Sequence, residues 1–295
     1  MNMEQSFIGR GRDALEITVD KESFRENAID IYQIDADLGP GAVVGAAKVA
    51  GEDVTVIAND AMEFNPRFNV VHSGVIGLEE AYKMALAVYY TIEADKDKPL
   101  EQKRPIILIV DTPGNAPGKV EEILGMNKAT GAYQLALAES RKTGHPVIAV
   151  VIGRAISGGF LCHGLQADHI LALSKEYGTM IHVMPLTSIA RITNTDIERL
   201  EELSKTNAVF AAGVDFFYKL GGVEEVIYEA EKMNDIVKKH IDQVRRLKQE
   251  GQTDQLGPWG RGNLGAERGG RKTRQEIMEK MQEQYELVKG KYMGI

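Results

Sequence analysis

The stretch that most constrains this chain is Val147–Gly164, VIAVVIGRAISGGFLCHG. A β-branched apolar run ends at Gly153, and Ser157-Gly158-Gly159 opens a second apolar run. That pattern predicts a buried strand feeding a small-residue turn and then a helix. Such a turn leaves backbone N–H groups unpaired at a helix N-terminus, where the macrodipole also favours negative charge. Glycines there let a substrate oxygen approach the backbone closely. This is the usual construction of an oxyanion hole. The turn is read as half of an active site that the rest of the chain supports.

Composition narrows the classes. With 295 residues, the chain can bury a sizeable core as one large domain or one domain plus an appendage. A formal charge of −8 argues against a general nucleic-acid binder. One cysteine excludes an internal disulfide and fits a reducing compartment. The first residues, MNMEQSFIGRGRDALEI, hold no apolar signal-peptide core, and no apolar run is long enough to span a bilayer. A cytoplasmic protein is expected.

In chain order, residues 1–27 read as an arm and a short helix. Ala42–Val49 and Val54–Ala58 flank a Gly-Glu-Asp turn and predict a hairpin. The loop 59–77 carries Asn65, Arg67 and His72 as candidate lid residues, with a surface excursion as the alternative. Helical spacing runs from Leu78 to Asp95. Pro105–Val110 reads as a strand buried on both faces, ending in the rigid loop Asp111–Gly118. A helix over 120–143 and a strand over 147–152 complete a βαβ unit, expected to cross over right-handed. Ligands of such sheets sit beyond the carboxyl ends of the strands, so loops 111–118 and 153–159 should face one crevice. Further strands are expected over 167–173 and 179–184, a turn over 185–193, and helices over 196–205, 208–220, 223–247 and 272–293. The Gly-rich stretch 251–270 reads as a linker or a loop ordered by a partner.

Several motifs fail on inspection. Gly114–Lys119 resembles a phosphate loop but has the wrong spacing. Histidine and cysteine spacing gives no metal site, and none is expected. Ala155–Gly159 nearly matches the nucleophile elbow of serine hydrolases. Hydrolysis would need His163 or His182 as base and a carboxylate such as Asp168. Ser157 reads more simply as a helix cap. His182 reads as a packed core histidine and Cys162 as a small buried residue. His163, at the mouth of the site, is a candidate general acid or base. Arg154 either pairs a substrate carboxylate or pins the loop by bonding carbonyls.

VDTPGNAPG (110–118) and GRAISGGFLCHG (153–164), separated by a helix, together resemble the carboxyltransferase branch of the crotonase superfamily. IEADK, DTPGNAPGK, GRAISGGFLCHGLQAD and MIHVMPLTSIARIT resemble malonate decarboxylase gamma subunits more closely. The resemblance implies an α/β, crotonase-like (ClpP/crotonase) fold with repeated ββα units. It places the carboxyltransferase domain over 1–250, followed by the linker and C-terminal helix over 251–295. It also implies decarboxylation of a malonyl thioester, held on an acyl carrier subunit through a dephospho-CoA-type prosthetic group, to an acetyl thioester. A beta subunit would complete the site.

By that carry-over, the N–H groups of Gly159 and Phe160 form an oxyanion hole, with Gly158 in the turn and Gly114 nearby. From their positions in the two loops, Arg154, Ser157, Pro113 and Asn115 are expected to contact substrate and His163 to join the catalytic group. Biotin-dependent relatives place a small residue and then an acid where this chain has Phe160 and Cys162, which favours biotin-independent decarboxylation. Alternatives are a biotin-dependent carboxyltransferase subunit, a serine hydrolase of the same superfamily, and a non-catalytic scaffold.

Overall fold

Alternation along one strand sets the layers. Ile106, Leu108 and Val110 join one buried apolar cluster, while Ile107 and Ile109 join a second. A strand apolar on both faces needs a covering layer on each side. The computed structural model describes residues 6–184, 186–204 and 212–293, and it supplies both layers.

Helix α1 (Gly11–Thr18) precedes three two-residue strands, β1 (Arg25–Glu26), β2 (Ala28–Ile29) and β3 (Tyr32–Gln33). The hairpin of β4 (Ala42–Val49) and β5 (Glu52–Asn59) leads to α2 (Leu78–Ala94) and β6 (Ile106–Thr112). Helices α3 (Lys119–Leu124) and α4 (Met126–Lys142) carry the chain back to β7 (Val147–Ile156). Then come α5 (Ser157–Cys162), β8 (His169–Leu173), β9 (Met180–His182), α6 (Leu186–Thr193), α7 (Ile197–Ser204), α8 (Val214–Lys219) and β10 (Glu225–Ile227). Helices α9 (Met233–Gln249), α10 (Gly257–Glu267) and α11 (Arg274–Met293) follow.

The main sheet runs β1-β4-β5-β6-β7-β8-β10, antiparallel among the first three strands and parallel from β5 onward. Met84 and Val88 of α2, Tyr133 and Leu137 of α4, and Phe160 of α5 pack on one face. Leu15 of α1 and Val237, Ile241 and Val244 of α9 pack on the other. Each fully buried aliphatic side chain contributes about 2 kcal/mol.

The register between β6 and β7 shifts at one place. Val110 pairs with Val151, but Thr112 pairs with Ala155, so β7 carries extra residues at Gly153 and Arg154. Beyond this bulge β7 has left β8 and pairs with β9, over Arg154–Ile156. Bulges of this kind re-aim side chains. Here the bulge lies immediately before the Ser157 turn.

Other elements depart from the sequence reading. The helix expected over 120–143 breaks at Gly125, whose φ of 107° closes α3 and opens α4. Residues 186–193 form a helix rather than a turn. β10 and a 3-10 turn take the start of the segment read as one helix from 223. Part of the helix expected over 208–220 lies outside the described residues. The Gly-rich stretch is no linker across α10. Arg261, buried within it, donates to the carbonyls of Leu165 and Ala167 at 2.6 and 2.8 Å. α11, by contrast, has no buried residue.

Candidate active site

The crevice forms where the loops after β6 and β7 touch. Thr112 Oγ1 accepts the Gly114 N–H at 3.2 Å and donates to the Gly114 carbonyl at 3.0 Å, curling the chain as it leaves β6. That carbonyl also accepts the Ile76 N–H at 3.0 Å, and Ala116 N–H returns to the Ile76 carbonyl at 2.9 Å. The loop is therefore fixed to the segment ahead of α2. Within that earlier segment, Asn65 and Arg67 bond Glu79, and His72 bonds its neighbour Ser73.

The second loop meets the first through its glycines. A Cβ on Gly159 would stand 2.7 Å from Thr112 Oγ1 and 2.8 Å from Gly114 Cα. A Cβ on Gly158 would collide with Asn115 Oδ1. Any larger residue at either position would push the loops apart, so the pair of glycines is a packing requirement. Pro113 and Asn115 are half-buried on the facing loop, and Ser157 is exposed.

The donors differ from those expected. Helix α5 has Ile156 as its N-cap with no side-chain cap, so Ser157 does not cap it. Ser157 instead sits at φ 52°, the left-handed region, which costs a non-glycine residue about 1 kcal/mol or more. Counting from Ile156, the N–H groups that a helix leaves without an intrahelical acceptor are those of Ser157, Gly158 and Gly159. Helical geometry would next pair the N–H of Phe160, the donor expected beside Gly159. Gly114 is close by, as expected, but its N–H is turned to Thr112.

His163 is also corrected. It is fully buried, with Nδ1 2.9 Å from the Tyr133 hydroxyl and Nε2 3.0 Å from the Ile109 carbonyl. The carbonyl can only accept, so Nε2 carries the proton and Nδ1 accepts from Tyr133. Burial pulls its pKa down to about 4 and pushes the Tyr133 hydroxyl well above its ordinary value. Neither nitrogen is left for acid–base work.

Arg154 takes the second of its two readings. Its Nε and Nη2 donate to Asp111 Oδ1 and Oδ2, each at 2.9 Å, and Nη2 also reaches the Ser73 carbonyl at 2.9 Å. It braces the two loops against each other. His182 stands beside the turn, paired in register with Ile156. It is half-buried, its Nδ1 has no partner, and desolvation lowers its pKa. Strand pairing between β7 and β9, which puts it there, has no local sequence signal.

Among the described residues no group of three or more His, Cys, Asp or Glu is placed to hold a metal ion, and no helix is long and apolar enough to cross a membrane. Cavities of about 640 Å³ beside α1 and about 720 Å³ between β10, α9 and α10 hold none of these loop residues.

The profile of the malonate decarboxylase gamma subunit matches residues 71–285, which include both crevice loops and β9. The chain belongs to that family. A relative from Malonomonas rubra, the malonyl-S-ACP:biotin-protein carboxyltransferase MADD, is 63% identical over 94% of this chain and 96% of its own length. A chain of the Pseudomonas malonate decarboxylase hetero-tetramer, solved with coenzyme A, superposes with a TM-score of 0.72 at 30% identity, covering 93% of this chain and 99% of that one. A chain of the Pseudomonas MdcD–MdcE hetero-dimer gives 0.68 at 29% identity, covering 83% and 90%. The crotonase-like α/β fold expected from sequence is the one observed.

Phe160 and Cys162, on which the sequence reading based biotin independence, both lie in the interior. Phe160 lies in the core with its ring against Gly164. Cys162 is fully buried, its Sγ 3.3 Å from the Gly159 carbonyl, and burial pushes its thiol up to about 12. Both side chains face away from the crevice. Their identity therefore says nothing about which acceptor enters it.

Proposed function

We propose that this chain is one half of a malonyl-thioester carboxyltransferase, acting with a carboxyltransferase-like beta subunit on a malonyl group carried by an acyl carrier protein. The observation that carries this reading is the seating of Gly158 and Gly159 against Asn115 and Gly114. It leaves the N–H groups of Ser157, Gly158 and Gly159 at a rigid turn over the strand ends. Cleaving the bond to the carboxyl group leaves an enolate oxygen, and fixed N–H donors stabilise that charge without reorganising. One such donor is worth about 3 kcal/mol. The brace from Asp111 to Arg154 keeps the turn in place as the charge develops.

For the acceptor, biotin on a carrier protein is the reading favoured by the identity to the Malonomonas rubra relative. Biotin supplies a ureido nitrogen to take the carboxyl group. Direct release of CO₂ is the second reading, favoured by the likeness to the Pseudomonas enzyme at lower identity.

Elements framing the crevice expose apolar side chains, including Val120, Ile123 and Leu124 of α3 and Leu161 of α5. Such surface on a single chain suits a site closed by another subunit. The test is to assemble the chain with its co-purifying subunits and follow loss of the carboxyl group from malonyl-carrier with and without avidin. Inhibition by avidin supports transfer to biotin, and full activity with avidin supports direct release. No turnover with every partner present sinks the reading.

A further inference from the structure

Away from the crevice, the glycines of α10 have a second use. A Cβ on Gly265 would meet Arg271 Cδ at 2.9 Å, and one on Gly262 would meet Arg274 Nε at 2.7 Å. Gly270 packs on the backbone of Lys219. The returning segment 268–274 therefore lies flat on α10 and against the end of α8, with its cationic stems in the space the glycines leave. Arg268 stacks over the Tyr218 ring at 3.7 Å and donates to the carbonyls of Tyr218, Val223 and Glu224. Arg271 Nε donates to the Leu220 carbonyl at 2.8 Å.

These contacts fix position without neutralising charge. Arg268, Arg271 and Arg274 bond carbonyls, rings or a thioether, Lys219 and Lys272 stand beside them, and none of the five forms an ion pair with a carboxylate among the described residues. Three fixed guanidinium groups and two lysines thus gather on a chain of formal charge −8. Glu267 is the exposed acid beside them, and Glu276 is spent on Lys280 at 2.6 Å. A cavity of about 380 Å³ adjoins the cluster, lined by Leu165, Phe217, Leu220 and Pro258, with Arg271 on its wall. Cations held in place by their own backbone lose little freedom on meeting an anion, which makes them an efficient docking surface.

We propose that this cluster docks the acyl carrier protein, engaging its acidic face and the phosphate that joins its thioester arm. The inference rests on the functional reading above. Charge chooses between the two carriers of that reading, because an acyl carrier's arm is attached through phosphate whereas a biotinyl-lysine arm is uncharged. Guanidinium and ammonium groups free of carboxylates suit the former.

The test uses the assembled enzyme carrying Arg271→Glu and Lys272→Glu, both outside the crevice. KM for malonyl-carrier should rise about tenfold, with kcat and the kinetics on a small malonyl thioester such as malonyl-N-acetylcysteamine unchanged. Wild-type affinity for the carrier should fall with added salt more steeply than the variant's. An unchanged KM for the carrier, or an equal loss on both substrates, overturns the proposal. So does weakened binding of a biotinyl carrier domain in place of the acyl carrier. Titration of the assembled enzyme with malonyl-carrier reads docking without turnover. Absent activity then counts against the functional reading, and unchanged binding counts against the docking site.

Discussion

Asp111 holds Arg154 with both carboxylate oxygens across the bulge in β7. Oδ1 accepts from Arg154 Nε at 2.9 Å and from its backbone N–H at 2.7 Å, while Oδ2 accepts from Nη2 at 2.9 Å and from the Gly9 N–H at 2.7 Å. The carboxylate is 1% exposed and the arginine side chain 16%. Breaking one side of a buried pair leaves the other charge uncompensated, at about 3–5 kcal/mol. Asp111→Asn should therefore lower unfolding free energy by about that amount in urea titration. Arg154→Lys keeps the charge but loses the fork, and it should fall between the wild type and Asp111→Asn. A variant as stable as the wild type would show that the brace is idle.

Gly159 tests the crevice itself. A Cβ there meets the backbone of Gly114, which cannot rotate aside as a flexible side chain could. Gly159→Ala should spread the two loops and displace the turn's donors, lowering kcat of the assembled enzyme by about 100-fold or more. Gly131→Ala, where a Cβ meets nothing within 4 Å, is the control and should leave kcat unchanged. Equal activity in both variants would remove the turn from the mechanism.

The parts of this arrangement differ in how visible they were in the sequence. β6, β7 and the turn were legible because unbroken apolar runs ending in small residues leave few other structures open. The roles of the polar residues were not legible. His163 looked catalytic from its place after the turn, but its partners are Tyr133 and Ile109, 30 and 54 residues away in sequence. Arg154 showed two chemistries from sequence, and an aspartate 43 residues earlier decides between them. The Gly-rich stretch read as flexible because glycine disfavours helix in isolation. In α10 the same glycines make room for Arg271 and Arg274, so packing overrides propensity.

Ser157 separates hydrolysis from carboxyl transfer. Its position at the turn suits a nucleophile, yet both nitrogens of His163 are engaged elsewhere and no base pairs with the hydroxyl among the described residues. Ser157→Ala should keep malonyl-carrier turnover within about threefold, since general-base activation of a nucleophile would be worth far more. Ser157→Gly should also raise stability by about 1 kcal/mol, because glycine adopts the φ of 52° without strain. Loss of turnover in Ser157→Ala would restore the hydrolase reading.

Acid should destabilise the fold through histidines buried in their neutral form. His163 and His145 are each fully buried, with pKa values pulled down to about 4 by desolvation. In the unfolded chain the same groups titrate near 6.5, so between about pH 6.5 and 4 the unfolded state binds protons that the native state refuses. Stability from each group is complete above pH 6.5 and falls as pH drops toward 4, by about 1.4 kcal/mol per pH unit. Replacing His163 with Asn removes one titrating group while the rest cancel in the comparison. The variant should be less stable than the wild type at pH 7, because Tyr133 and Ile109 lose their imidazole partner. Its stability should then decline about 1.4 kcal/mol per pH unit less steeply between pH 6.5 and 4, measured by urea unfolding at several pH values. Parallel pH profiles for the two proteins would mean that His163 is protonated in the folded state, and its two hydrogen bonds would have to be reassigned.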